Sequence, residues 1–187
     1  MTMSPPDPIM LSEYDDTWPV EFQQIATTIR RAFDAAELDI PRIDHIGSTA
    51  IPGMAAKAVI DIQIAVTNLE PMVYRPSLES LGYHWRAHNP ELTKRMFRET
   101  RPMRRTHIHV RRLGSWHEQF ALLFRDYLRV SASDADRYQT EKKRLARQYK
   151  NDRTAYTEGK GPTILDIIGH ADRWAADEGW QPGPTDA

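Results

Sequence analysis

The sequence predicts an α/β (α+β) fold: a small mixed β-sheet with helices packed on one face, followed by a C-terminal helical segment. Three observations lead there. Apolar residues recur at helical spacing between residues 18 and 36. Two segments, 59–66 and 106–112, alternate apolar and polar residues as half-buried strands do. From Trp116 onward the spacing turns helical again.

The first helix starts near Asp16 or Thr17, either of which can cap it, and Pro19 sits in a first turn that needs no N–H from it. Phe22, Ile25, Ile29, Phe33 and Ala36 then form its apolar face. Arg42–Ile46 reads as a short strand running into Gly47-Ser48-Thr49 and a loop with Pro52 and Gly53. Val59–Val66 is the clearest strand. Ile60, Ile62, Ile64 and Val66 point one way, and Val59, Asp61, Gln63 and Ala65 the other. Residues 70–81 are expected to be helical up to Gly82, with Pro76 arguing for a break or a late start. Arg95–Glu99 and Thr106–Arg112 read as two further strands joined by a basic turn, the second with Ile108 and Val110 on one side and His107, His109 and Arg111 on the other. Phe120, Leu123, Tyr127 and Leu128 stripe the next helix. A turn at 131–134 leads to a highly charged helix with Tyr138, Leu145 and Tyr149. Pro162 opens a last helix with Ile164, Leu165, Ile168, Ala171 and Trp174. One domain over residues 9–176 follows, with the Pro- and Gly-rich tail 177–187 expected to be flexible.

At 187 residues, 40% hydrophobic and 27% charged, the chain has enough apolar surface for one core. A formal net charge of −1 gives no overall attraction to nucleic acid or to an anionic membrane. No apolar run approaches the roughly 18 residues that span a bilayer, and the first residues lack the pattern of a signal peptide. The absence of cysteine excludes disulfides, Cys-ligated zinc and thiol chemistry, and fits a cytoplasmic protein. The oligomeric state stays open.

Chemistry concentrates around Gly47-Ser48 and Asp61. Glycine lets a ligand approach the backbone. The serine and threonine hydroxyls and nearby N–H groups can hold a phosphate, and a carboxylate on the next strand can hold a divalent metal bridging phosphate oxygens. His107 and His109, two residues apart on a strand, share a face and can share a metal or contact phosphate. If the two strands share a sheet, Asp61, Gln63, His107 and His109 lie on one surface. Lys57 and Arg98 can neutralise a triphosphate, whereas Arg104 and Arg105 read as surface charge. Arg125 and Arg129 share a helix face. Tyr156 and Lys160, with Gly159 and Gly161 beside them, read as a loop that can close over a ligand or merely link two elements.

The segments YDDTWPVEF (14–22), HIGSTAIPGMAAKAVIDIQI (45–64), THIHV (106–110), LLFRDYLR (122–129) and AYTEGK (155–160) resemble the GrpB family of the nucleotidyltransferase superfamily, over nearly the whole chain. The resemblance implies a polymerase-beta-type core. It also implies transfer of a nucleoside monophosphate from a nucleoside triphosphate to a hydroxyl or phosphate acceptor, and relatives fused to dephospho-coenzyme A kinase. The superfamily holds two magnesium ions with a Gly-Ser turn, an Asp-x-Asp pair and a later third Asp. Gly47, Ser48 and Asp61 match this pattern. Position 63 is Gln, and the later strand carries His107 and His109. The expectation is therefore a nucleotide or phosphorylated small molecule bound with a divalent metal, Mg2+, Mn2+ or Zn2+. Asp61, His107 and His109 form the metal or catalytic set. Gly47, Ser48, Thr49, Lys57, Arg98 and Arg125 are expected on phosphates. The alternative is a non-catalytic nucleotide- or coenzyme-binding module.

Overall fold

Period-two alternation in the longer strands and period-3.6 spacing in the longer helices build the molecule, a computed structural model that describes residues 8–187. In chain order the elements are α1 (Trp18–Ala35), β1 (Arg42–Ile46), a single 3-10 turn (Ser48–Ala50), β2 (Ile60–Val66), α2 (Arg75–Ser80), β3 (Tyr83–Trp85), β4 (Lys94–Glu99), β5 (Thr106–Arg112), α3 (Trp116–Val130), α4 (Ala132–Gln148), α5 (Arg153–Gly159) and α6 (Gly161–Glu178). The strands form one sheet in the order β1-β2-β5-β4-β3. β2 and β5 run parallel and every other pair antiparallel.

Register sorts the two faces. Ile43 pairs with Ile64 and Ile62 with Ile108, so Ile43 of β1 and the β-branched residues of β2 and β5 line one side, joined by Phe97. On this face α1 seats Trp18, Phe22, Ile29 and Phe33, and Tyr74 and Leu78 cover its far end. All of these side chains are buried, which at about 25 cal/mol per Å2 of apolar surface makes this the main source of stability. α2 is shorter than the 70–81 expected: it starts at Arg75, which puts Pro76 in the first turn, where a missing N–H costs nothing.

The opposite face is polar and only half roofed. α3 crosses its β1 end, where Gln63 Nε2 donates to the Glu118 carbonyl (3.2 Å) and Arg125 Nη1 to the His45 carbonyl (3.0 Å). α3, α4 and α6 join through Leu123, Tyr127, Leu128, Tyr138, Ile167 and Ala171, so the C-terminal helical segment also covers part of this second face. The polar side of β4 and β3 is more open: His84 and Arg86 are exposed and Arg98 is partly so.

In the structure the last residues of the tail lie along β1. The Thr185 hydroxyl accepts from Ile43 N–H (3.0 Å) and donates to its carbonyl (2.8 Å). The Asp186 carboxylate accepts from His45 N–H (2.9 Å) and from Arg125 (2.6 Å). β1 is an edge strand with unpaired backbone groups, and the tail's side chains supply the missing partners. Composition cannot reveal that complementarity. Among the described residues, no helix is long and apolar enough to cross a membrane.

Candidate functional site

The parallel pairing of β2 with β5 sets Asp61 opposite His107 and Gln63 opposite His109, on the polar face. Asp61 Oδ1 lies 3.2 Å from His107 Nδ1 and 3.5 Å from His109 Nε2. One ligand atom from each residue falls within 4.8 Å of the other two, giving a two-histidine, one-carboxylate set that a divalent cation fits. Burial resists ionisation of Asp61, but the hydrogen bonds and charge of His107 and His109 outweigh it and hold the carboxyl well below its usual range. Burial pushes the His109 imidazole down against the pull of Asp61. A carboxylate anion beside a neutral imidazole is the state that ligates a cation. The far nitrogens, His107 Nε2 and His109 Nδ1, are buried without hydrogen-bond partners among the described residues, so only the Asp61 carboxylate, accepting from His107 Nδ1–H and His109 Nε2–H, sets their tautomers.

Between β1 and the 3-10 turn, Gly47 adopts φ +73°, ψ −171°, a region essentially restricted to glycine. Its Cα faces Asp61 so closely that an added Cβ would lie 2.7 Å from Asp61 Oδ2. Next to it, Ser48 Oγ accepts from Lys142 Nζ (2.9 Å), which also donates to the Ala55 carbonyl (2.6 Å). Thr49 is committed to the scaffold. Its hydroxyl donates to the Val59 carbonyl (3.2 Å), leaving it as acceptor for His45 Nε2–H (3.0 Å).

His45 itself stacks on Phe22 with ring centroids 4.7 Å apart. Burial first, then the charges of Arg129 and Arg125, push its imidazole from 6.5 down to about 4, against the opposing pull of Asp61. The unfolded chain therefore binds the proton more readily, and stability present above pH 6.5 is lost as pH falls towards 4. By pH 5 the loss should reach about 2 kcal/mol. Urea midpoints at pH 7.5 and 5 should show it in the wild type and show less of it in His45→Gln.

A cavity of about 340 Å3 opens over these groups. Lys57, Lys142 and Lys160 line it with Ser48, His107, His109, Tyr138 and Tyr156, and among the described residues Asp61 is its single acidic group. Lys57 and Lys160 lie over the Tyr156 ring at 5.0 and 4.8 Å, and Lys142 over Tyr138 at 4.9 Å. Burial, then crowding by Lys160, Lys143 and Lys57, pushes Lys142 down to about 7. Burial, then Lys160, Arg153 and Arg105 against Asp61, pushes Lys57 to about 8, and burial lowers Lys160 against the pull of Asp61. Burial, joined at Lys57 and Lys142 by repulsion between the amines, disfavours the charged form of all three, so the cavity is short of negative charge, which an anionic ligand would supply.

The fold thus gathers Gly47, Ser48, Thr49, Lys57, Asp61, His107 and His109 around one cavity and leaves two predicted residues outside it. Arg125 is buried beneath α3, bound to Asp126, Asp186 and the His45 carbonyl. Arg98 stands one strand beyond His107 and lines a different cavity. Gln63 is buried under Glu118, so the position where a second carboxylate was expected does not reach the cavity. Tyr156 lies in α5, capped by Asp152, rather than in a loop. Lys142 was not singled out in the sequence because EKKR reads as a solvated helix face. The available signal was its spacing: Tyr138, Lys142 and Leu145 fall at i, i+4 and i+7, one stripe of α4.

The sheet, its flanking helices and this cavity define a nucleotidyltransferase-like fold. It superimposes on Cid1 in complex with its short product ApU at a TM-score of 0.51, with 13% identity, over 72% of this chain and 42% of that one. A match to the GrpB protein family model over residues 8–170 shows that the chain belongs to the GrpB family. The crystal structure of conserved protein GrpB from Enterococcus faecalis gives a TM-score of 0.77 at 27% identity, covering 88% of this chain and 99% of that one. A UPF0157 protein of Streptomyces coelicolor is 37% identical over 164 residues, 87% of this chain and 84% of that protein. A dephospho-CoA kinase of Mycolicibacterium paratuberculosis is 33% identical over 201 residues, covering 94% of this chain, which spans about half (49%) of that relative.

Proposed function

We propose that this protein binds a nucleoside triphosphate together with a divalent cation and transfers the nucleotidyl group to an acceptor. The observation that carries the reading is the cavity that sets the Asp61/His107/His109 triad against Ser48, Lys57, Lys142 and Lys160. Cid1, whose fold is similar, holds MgGTP in one crystal structure (TM-score 0.50) and ApU in another.

In this reading Asp61, His107 and His109 hold the cation, which when bound supplies Lewis-acid polarisation of phosphate oxygens. Two imidazoles make manganese or zinc a better match than magnesium. Ser48 Oγ and the backbone beside Gly47 bind phosphate oxygens, and Gly47 lets them come close. Lys142, held by the Ala55 carbonyl, moves its Ser48 hydrogen bond to the triphosphate. An acceptor oxygen bonds to the α-phosphorus as the bond to the bridging oxygen breaks. The electron pair leaves on pyrophosphate, whose charge Lys57, Lys142 and Lys160 stabilise.

Calorimetric titration with a non-hydrolysable triphosphate analogue and Mn2+ tests the reading. Lys142→Met should weaken the analogue by at least about tenfold, the scale of one charge-assisted hydrogen bond lost. Equal affinity in wild type and variant overturns the assignment. A second reading, a binding module without turnover, is favoured by the single acidic residue in the cavity. Tight analogue binding with no pyrophosphate released across a broad acceptor panel would select it.

A further inference from the structure

The cationic surface does not end at the cavity. Across the sheet, Asp61 pairs with His107, His107 with Arg98 and Arg98 with His84, a polar row over four strands on one face. Adjacent strands lie about 5 Å apart, so this row leads about 10 Å beyond His107 to the far edge of the sheet. Ser48 and Lys142 lie on the opposite side of Asp61, next to β1. Asp61 therefore stands between the Ser48–Lys142 pair and the arginine of this row.

The arginine side is unbalanced. A cavity of about 410 Å3 on the β3–β4 side is lined by Arg86, Arg98, Trp85, His88 and Met96. The Arg86 and Arg98 guanidinium groups have no ion-pair or hydrogen-bond partner among the described residues. Nearby Arg153 has a buried Nε without a partner. Among the described residues the carboxylate that acts on Arg98 is Glu99, which already holds Arg105 (3.2 Å) and the Thr106 N–H (3.1 Å). Burial, then crowding by Arg105, Arg86 and Arg153 against Glu99, keeps the Arg98 guanidinium below its usual range. Guanidinium groups in this state match the oxygens of a phosphate.

We infer that the acceptor is a small phosphomonoester whose phosphate is held by Arg98 and Arg86 and itself attacks the triphosphate. This rests on the nucleotidyl-transfer reading above and adds the acceptor's chemical class. A hydroxyl acceptor must lose a proton to a base. Among the described residues Asp61, the cavity's one carboxylate, is committed to its two histidines, and Lys142, whose amine burial pushes down to about 7, is placed on the leaving pyrophosphate, where it serves as the cation and not as the base. A phosphomonoester, with a second pKa of about 6, is already a dianion at neutral pH and has no proton to give up. Its oxygen forms the new bond to the α-phosphorus, the bond to the β-phosphate oxygen breaks, and the products are a phosphoanhydride and pyrophosphate. Placing acceptor and leaving group on opposite sides of the triad suits in-line displacement.

Inorganic phosphate serves as the probe, titrated calorimetrically into protein saturated with the non-hydrolysable triphosphate analogue and Mn2+. Wild-type protein should bind one phosphate. Arg98→Gln and the exposed Arg86→Gln should each weaken it at least five-fold while changing analogue affinity less than two-fold. Lys142→Met should do the reverse. Failure of the analogue to bind wild type would count against the transferase reading. If the analogue binds, then no phosphate binding, phosphate that merely competes with the analogue, or undiminished phosphate affinity in both arginine variants overturns the acceptor assignment.

Discussion

Asp61→Asn is expected to lower Mn2+ affinity by at least about 100-fold and to abolish pyrophosphate release, while the protein remains folded. The substitution keeps the shape of the side chain and removes its charge. Among the described residues that charge is the only anion lining the cavity, and it lies within 3.5 Å of both histidines. Without it His107 and His109 remain as two neutral ligands, and the amide is a poor ligand for a hard cation. Mn2+ binding followed by electron paramagnetic resonance reads the first effect, a coupled pyrophosphate assay the second, and circular dichroism the fold. Wild-type turnover in the variant would remove Asp61 from the chemistry.

The second large effect is expected at Gly47. Gly47→Ala meets two independent penalties: a backbone conformation that side chains rarely adopt, and a Cβ placed 2.7 Å from Asp61 Oδ2 and 3.1 Å from its Cβ. The backbone strain alone costs about 1–3 kcal/mol, and the contact adds to it. Because the clash falls on Asp61, Mn2+ affinity should drop together with stability. Gly53→Ala is the control. It has a similar φ of +76° with nothing within 4 Å of the added Cβ, so it should show backbone strain but unchanged Mn2+ affinity. Equal loss of metal binding in both variants would mean that general loosening, rather than displacement of Asp61, is responsible.

Local patterns carried much of this molecule. The strand from Val59 to Val66 was legible because isoleucines alternate with Asp61 and Gln63. The same alternation around Ile108 placed both histidines on one side. The short β3 was not legible, since three residues give no period to detect. Helix α5 was hidden by the glycines that flank Lys160 and make the segment look like a loop.

Legible along the chain are most of the elements, the face of each longer strand that must be buried, and the candidates Gly47, Ser48, Asp61, His107 and His109. These follow from periodicity and from side-chain chemistry, which are properties of neighbours along the chain. Only the tertiary structure decided that β2 and β5 pair in parallel, which brings Asp61 to the histidines. It alone turned Lys142 inward onto Ser48, turned Arg125 away to the tail's Asp186, and left Arg98 one strand past the triad. Each of these depends on contacts between residues far apart in the chain. An arginine or lysine carries the same local signature whether it faces water, a buried carboxylate or an active site. What distinguishes them is the charge and burial supplied by the partner element.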